Sequence, residues 1–179
     1  MAIEAEENRR DFLILATSVV GLGGVAGAAW PFIRSWSPSA DVLAQATTEV
    51  DISALQEGQM ITVPWQGKPV FVLKRTAEQI ASAREGDKVK LPDPNPPSKD
   101  AERVKRPEYL VVLAVCSHLG CVPQPIGTGD FGGFLCPCHG SHYDTSGRIR
   151  QGPAPANLTV PDYDFKDDGN TLVIGKAVG

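Results

Sequence analysis

Cysteine and histidine, the residues that do most metal and redox chemistry, are scarce in this sequence. Four of its 179 residues are cysteine and three are histidine. A protein that used cysteine only as a small core residue would scatter it. Here Cys116, Cys121, Cys136 and Cys138 share one stretch, His118 lies inside it, and His139 and His142 follow directly. Also missing is any basic stripe with interleaved aromatics; with a net charge of −4, nucleic acid is excluded as an expected partner. There is no internal repeat. No second redox motif and no evident substrate pocket accompany the cysteines, so the chain by itself is not a complete enzyme.

Charge is absent from Phe12 to Ile33, a run rich in Ile, Leu, Val, Ala and Gly. As a helix it spans about 33 Å, against a hydrocarbon core of about 30 Å. Trp30 and Trp36 stand near its far end, where amphipathic rings favour the membrane interface. The run reads as one N-terminal transmembrane helix in contact with the lipid bilayer, within an anchor covering residues 1–37. Just before it, Asn8-Arg9-Arg10-Asp11-Phe12-Leu13 resembles the twin-arginine export motif. Simple positive-inside anchoring is the alternative, and both place the N-terminus in the cytoplasm. Ala26-Gly27-Ala28 is a possible cleavage site, but the expectation is that the segment is kept as an anchor.

Residues 38–48 are small and polar and read as a flexible hinge, with a short helix capped by Ser39 or Asp41 as the other possibility. From Glu49 the pattern turns to β. Gln59–Trp65 and Lys68–Lys74 flank Gln66-Gly67 as a hairpin, and Asp162–Phe165 and Thr171–Ile174 bracket Asp168-Gly169-Asn170 as a second. Thr76 and Gln79 form a capping box for a short helix to Arg84. Residues 86–107 are charged and proline-rich and read as a surface excursion whose charges are mostly solvated. Tyr109–Val115 reads as a buried strand leading into Cys116. Residues 49–179 thus make an all-β antiparallel domain of about 130 residues, enough to bury roughly two thirds of its unfolded surface.

The clusters read Cys116-Ser-His118-Leu-Gly-Cys121 and Cys136-Pro-Cys138-His139-Gly-Ser-His142. A structural zinc site accepts two cysteines and two histidines, but the donors outnumber four positions. Two disulfides suit an exported protein, but leave the histidines as coincidence. A [2Fe–2S] cluster with thiolates on one iron and imidazoles on the other takes one Cys and one His from each loop.

The two motifs, C-x-H-L-G-C and C-P-C-H-G-S-H-Y-D, closely resemble the Rieske subunit of the bacterial-type ubiquinol:cytochrome c reductase, or cytochrome bc, complex. The likeness extends to the anchor, to the SADVLAQA segment from Ser39 to Ala46 and to Gly152-Pro153-Ala154-Pro155. It implies a Rieske domain of stacked sheets over 49–179, with a small cluster-binding subdomain at about 112–156. It implies one [2Fe–2S] cluster, with Cys116 and Cys136 on one iron and His118 and His139 on the other. Cys121 and Cys138 are then a disulfide, Ser141 hydrogen-bonds a bridging sulfide and Tyr143 a ligand cysteine sulfur. His139 meets the quinol, His118 shares the proton chemistry, and Leu119, Gly120 and Pro153 face cytochrome b. His142 is a surface or strand histidine without a ligand role.

The resemblance also implies the function: oxidation of quinol at the membrane and delivery of one electron to a c-type cytochrome, coupled to proton release. The partners are cytochrome b and a c-type cytochrome, in a dimeric complex of the bacterial inner membrane with the Rieske domain periplasmic. Two alternatives stand beside it. One is the Rieske subunit of another exported oxidoreductase, such as arsenite oxidase. The other is a non-redox, zinc-stabilised exported module.

Overall fold

A computed structural model describes residues 9–37, 39, 42, 46–166 and 169–175. It divides into two units, Met1–Leu43 and Ala44–Gly179. In the first, helix α1 runs from Arg9 to Arg34, with Asp11 in its first turn and Arg34 in its last, each suited to the helix dipole. None of its residues is buried, and Phe12, Leu15, Val20, Leu22 and Phe32 are all exposed. A helix apolar all round needs an apolar solvent, and this one is long and apolar enough to cross a membrane. The proposed hinge at 38–48 lies for the most part outside the described residues.

The second unit carries three antiparallel three-stranded sheets. The first sheet has the order β1 (Thr48–Asp51), β9 (Thr171–Ile174), β8 (Tyr163–Phe165). The central sheet joins β2 (Met60–Trp65), β3 (Lys68–Lys74) and β4 (Tyr109–Leu113) in sequence order. The third joins β5 (Gly132–Cys136), β6 (Ser141–Asp144) and β7 (Ile149–Gln151). The strands of both expected hairpins pair, with Asp168 of the second turn outside the described residues. Trp65 pairs with Lys68 across Gln66 and Gly67, whose φ of 49° and 72° match the twist a two-residue hairpin needs.

Side-chain alternation along β3 explains the stacking. Val70 and Val72 enter a core with Val111, Leu172 and Ile174 beneath the first sheet. Phe71 and Leu73, pointing the other way, enter a second core with Leu110 of β4 and with Phe134, Tyr143 and Ile149 of the third sheet. A strand buried on both faces has no polar alternation, which is why Tyr109–Leu113 reads as a continuous apolar run. That strand ends two residues before Val115, and the chain then turns into the first cysteine loop.

Helix α2 (Ala77–Glu85) begins as its sequence specifies. Thr76 Oγ1 accepts from the Gln79 amide at 3.2 Å, and Gln79 Oε1 accepts from the Thr76 amide at 2.9 Å. In the segment after it most charges are solvated as expected, and three are not. Lys88, Lys90, Lys99, Glu102 and Lys105 are solvated, but Asp93, Asp100 and Arg103 are buried, the last two in a one-turn helix α3 (Asp100–Arg103). Asp100 accepts from both terminal guanidinium nitrogens of buried Arg75, at 2.6 and 3.2 Å, and from Ser146 Oγ at 2.7 Å. Buried Arg148 bridges Asp144, at 2.8 Å, to Asp87 and to the Ala83 carbonyl. Arg103 gives its protons to backbone carbonyls of Ser146, Pro97 and Leu158. Burial lowers its pKa to about 10, so it stays charged at neutral pH. Residues 86–107 therefore bolt the third sheet to the central one.

Candidate metal centre

Two loops at one end of the third sheet carry the cysteines and histidines, and they are built alike. In the first, the Gly120 amide donates to the Cys116 carbonyl at 2.9 Å; in the second, the Gly140 amide donates to the Cys136 carbonyl at 3.0 Å. Each turn closes four residues after its cysteine on a glycine with positive φ, 82° and 68°, a conformation other residues adopt at a cost. Cys121 and Cys138 are joined as a disulfide with Cα atoms 6.7 Å apart, the pairing the resemblance implies. Cys136 lies within 4.8 Å of both bonded sulfurs, but a disulfide offers no thiolate. The donors left are two cysteines and two histidines.

These four stand as two pairs, Cys116 beside Cys136 and His118 beside His139. Cys116 and Cys136 are free thiols, each 2% exposed. The rings of His118 and His139 meet edge to face with centroids 4.6 Å apart. His118 Nδ1 is buried with no hydrogen-bond partner. A buried polar atom without a partner is costly, and a metal would satisfy it. His139 is exposed, while His118 is only half so. The residues present thus fit a group that binds two sulfurs and two imidazole nitrogens.

The surrounding groups favour anionic sulfur at Cys116. The Tyr143 hydroxyl, fully buried on β6, stands 3.2 Å from Cys116 Sγ. Burial works to raise the Cys116 thiol, but the Tyr143 hydroxyl, the His118 backbone amide, Cys136 and Ser141 outweigh it and hold the thiol below its ordinary value. Burial pushes Cys136 up, and its nearness to Cys116 adds to the rise. Burial, then the Cys116 sulfur, also raises the Tyr143 phenol, which stays a donor. Ser141 is buried as well, and its Oγ accepts from the Ala154 amide at 3.1 Å.

At the rim, Leu119 is 72% exposed, and Gly120 and Pro153 are exposed beside their loops. His142 sits half-buried on β6, its Nδ1 accepting from the Asp130 amide at 3.1 Å. One contributor escaped the sequence reading. Ser117 Oγ donates to the Ala156 carbonyl at 2.6 Å and accepts from the Ala156 amide at 3.2 Å, tying the first cysteine loop to the proline loop. Nothing in its sequence context signals that contact.

Two buried thiols, two adjacent imidazoles and the Tyr143 hydroxyl beside sulfur, on a three-sheet antiparallel scaffold, fit the class of iron–sulfur proteins with mixed Cys/His ligation. Residues 46–164 match the family described as "Rieske [2Fe-2S] domain", and residues 1–39 match "Ubiquitinol-cytochrome C reductase Fe-S subunit TAT signal". The chain is 56% identical over 172 residues to the "Ubiquinol-cytochrome c reductase iron-sulfur subunit" of Rhodospirillum rubrum, covering 94% of this chain and 92% of that one. It is 51% identical over 173 residues to "Cytochrome b-c1 complex subunit Rieske, mitochondrial" of Candida albicans, covering 94% and 78%. A chain of the solved "Hyperthermophilic respiratory Complex III" superposes with a TM-score of 0.52 at 28% identity, covering 88% of this chain and 97% of that one. The protein belongs to the Rieske iron–sulfur subunits of ubiquinol–cytochrome c reductase, and it is an electron-transfer subunit with one Rieske-type [2Fe–2S] cluster. The arsenite oxidase and zinc-module alternatives are not favoured. The export-signal match and the apolar helix fit a membrane-anchored, exported Rieske domain.

Proposed function

We propose that this chain oxidises quinol at the membrane surface and passes one electron to a c-type cytochrome. The N-terminus is cytoplasmic and the Rieske domain lies on the periplasmic side of a bacterial inner membrane. The partners are cytochrome b and a cytochrome c subunit in a dimeric complex, whose turnover releases protons and supports a proton-motive force. Cys116 and Cys136 hold one iron of the cluster, His118 and His139 the other. When bound, the cluster supplies a one-electron acceptor, in a class whose potentials span about −150 to +300 mV.

The chain's own residues do the rest. The exposed ring of His139 accepts a quinol hydroxyl proton. His118 is more enclosed and serves the proton chemistry second. Exposed Leu119, with Gly120 and Pro153, seats the tip against cytochrome b; an exposed large apolar side chain at a functional rim suits an interface. Hydroxyls of Tyr143 and Ser141 stabilise added negative charge on sulfur, which raises the potential.

The observation that carries this reading is the asymmetry of the two histidines, one with a buried unpartnered Nδ1 and one exposed at the tip. The test is an electron paramagnetic resonance spectrum of the ascorbate-reduced protein, followed by quinol–cytochrome c turnover of the reconstituted complex. A rhombic signal with a low average g, together with turnover lost in His139→Ala, supports the reading. Zinc in place of iron, or a cluster reducible only by a strong donor, refutes it.

A further inference from the structure

Asp93 and Arg103 reach from the 86–107 segment to two adjacent residues, Asp93 to Asn157 and Arg103 to Leu158. Asp93 Oδ2 accepts from the Asn157 amide at 2.9 Å, and the Asp93 carbonyl accepts from Asn157 Nδ2 at 3.2 Å. Asn157 Oδ1 in turn accepts from the Ile149 amide at 2.9 Å. Next along the chain, Arg103 donates to the Leu158 carbonyl at 2.5 Å, while the same guanidinium donates to Ser146 O at 2.7 Å and Pro97 O at 2.9 Å. The Leu158 amide donates to the Gly147 carbonyl at 2.8 Å. Asp93, Arg103, Asn157 and Leu158 are all buried.

Residues 157 and 158 immediately follow the proline loop, 152–156. That loop reaches the candidate centre through the Ala154 amide on Ser141 Oγ and through Ala156 on Ser117 Oγ. Pro153 and Pro155 have fixed φ and no N–H of their own to give. The segment between the two sets of fixings is therefore stiff, and a displacement at 157 is carried to 154–156.

We propose that Asp93 and Arg103 are positioning residues that hold the 152–156 loop against Ser117 and Ser141 and thereby orient the Ser141 hydroxyl toward the cluster sulfur. The proposal rests on the cluster assignment given above. Two effects of losing Asp93 have opposite signs. Removing a negative charge favours the added electron and raises the potential. Loosening the Ala154–Ser141 bond misdirects a donor to sulfur and lowers it. A fall in potential therefore cannot come from the charge alone.

The experiment uses the full chain in detergent as wild type, Asp93→Ala, Asp93→Asn and Leu172→Ala, the last a core truncation in the first sheet that controls for general destabilisation. Hydrogen–deuterium exchange is read on peptides covering 152–156, and the midpoint potential by spectroscopically monitored titration. Asp93→Ala is expected to exchange about tenfold faster there, as a locally loosened segment does, and to have a lower potential. Asp93→Asn, whose amide carbonyl still accepts from Asn157, is expected to recover most of both changes, and Leu172→Ala to show neither. If Asp93→Ala does not accumulate, Arg103→Lys replaces it with the same two readings, because an ammonium cannot span the three carbonyls. Unchanged exchange in 152–156, or a potential that stays or rises, overturns the proposal. A wild type without a Rieske-type signal overturns the cluster assignment instead, a result that depends on neither substitution.

Discussion

Substituting Tyr143→Phe isolates one hydrogen bond to sulfur. The ring is fully buried in the core shared with Phe71, Phe134 and Ile149, so the phenyl group keeps its packing and only the hydroxyl is lost. That hydroxyl is 3.2 Å from Cys116 Sγ, in a place too enclosed for water to replace it. A hydrogen bond to a charged acceptor is worth about 1.5–3 kcal/mol. The bond strengthens when the centre gains an electron, and a differential of about half that worth is reasonable, roughly 0.75–1.5 kcal/mol. For a one-electron couple about 1.4 kcal/mol corresponds to 59 mV, so the potential should fall by about 30–65 mV. The assay is a redox titration followed by electron paramagnetic resonance or circular dichroism. Quinol oxidation should slow as its driving force shrinks, while cluster content stays at the wild-type level. An unchanged or higher potential with the cluster intact would refute the claim that Tyr143 acts as a donor to sulfur.

Opening the Cys121–Cys138 bond, by Cys121→Ser with Cys138→Ser, frees a loop with a sequence separation of 17. Chain entropy puts the loss at about 3 kcal/mol, read as a lower midpoint of thermal unfolding and faster cluster loss. Asp100→Ala leaves the buried Arg75 guanidinium without its carboxylate, and should cost about 3–5 kcal/mol by denaturant unfolding; a loss under 1 kcal/mol would contradict a buried pair. The same residue sets an acid limit. Burial works to raise the Asp100 carboxyl, but Arg75 and Ser146 outweigh it and hold it below the ordinary range. Its stabilisation is therefore present above the unfolded value of about 3.9 and is lost as pH falls through the folded value. The slope of stability against pH below about 4 should flatten in Asp100→Ala. Leu119→Glu should leave the spectrum and potential of the isolated protein unchanged but reduce turnover of the assembled complex; unchanged turnover would remove Leu119 from the docking surface.

What the sequence made legible were features with short-range causes. A membrane-crossing helix needs an unbroken apolar run, and Phe12–Ile33 is one. The Gln66-Gly67 turn and the Thr76–Gln79 capping box are fixed by residues within four positions of each other. The cysteine loops are equally local, each closing on its own glycine. The ion network escaped because its partners are far apart in sequence. Arg103 meets the Ser146 carbonyl 43 residues away and the Leu158 carbonyl 55 away. Asp93 meets Asn157 at a separation of 64. In a run as polar as DPNPPSKDAERVKRP, nothing local distinguishes a buried Asp100 or Arg103 from the solvated Lys99 and Glu102 beside them.

That contrast bears on how a small domain can hold an exposed redox tip without loosening it. The tip must present His139 and Leu119 to a partner, so those loops cannot be covered by further core. Their rigidity has to come from below, and the apolar contacts of Phe134, Tyr143 and Ile149 alone let a three-stranded sheet slide. Hydrogen-bonded charges are directional where apolar packing is not. Arg148 on the turn after β6, Arg75 at the end of β3 and Arg103 in α3 each fix more than one chain segment at a defined distance. Desolvating three guanidinium groups costs stability that hydrophobic residues of the same volume would not forfeit. The arrangement makes physical sense if geometry at the tip matters more than total stability. Replacing Arg148 and Asp144 together by apolar residues of similar size should then leave the unfolding midpoint within a few degrees of wild type while broadening the cluster's spectrum. A sharp, unshifted spectrum in that double variant would mean that packing alone sets the tip.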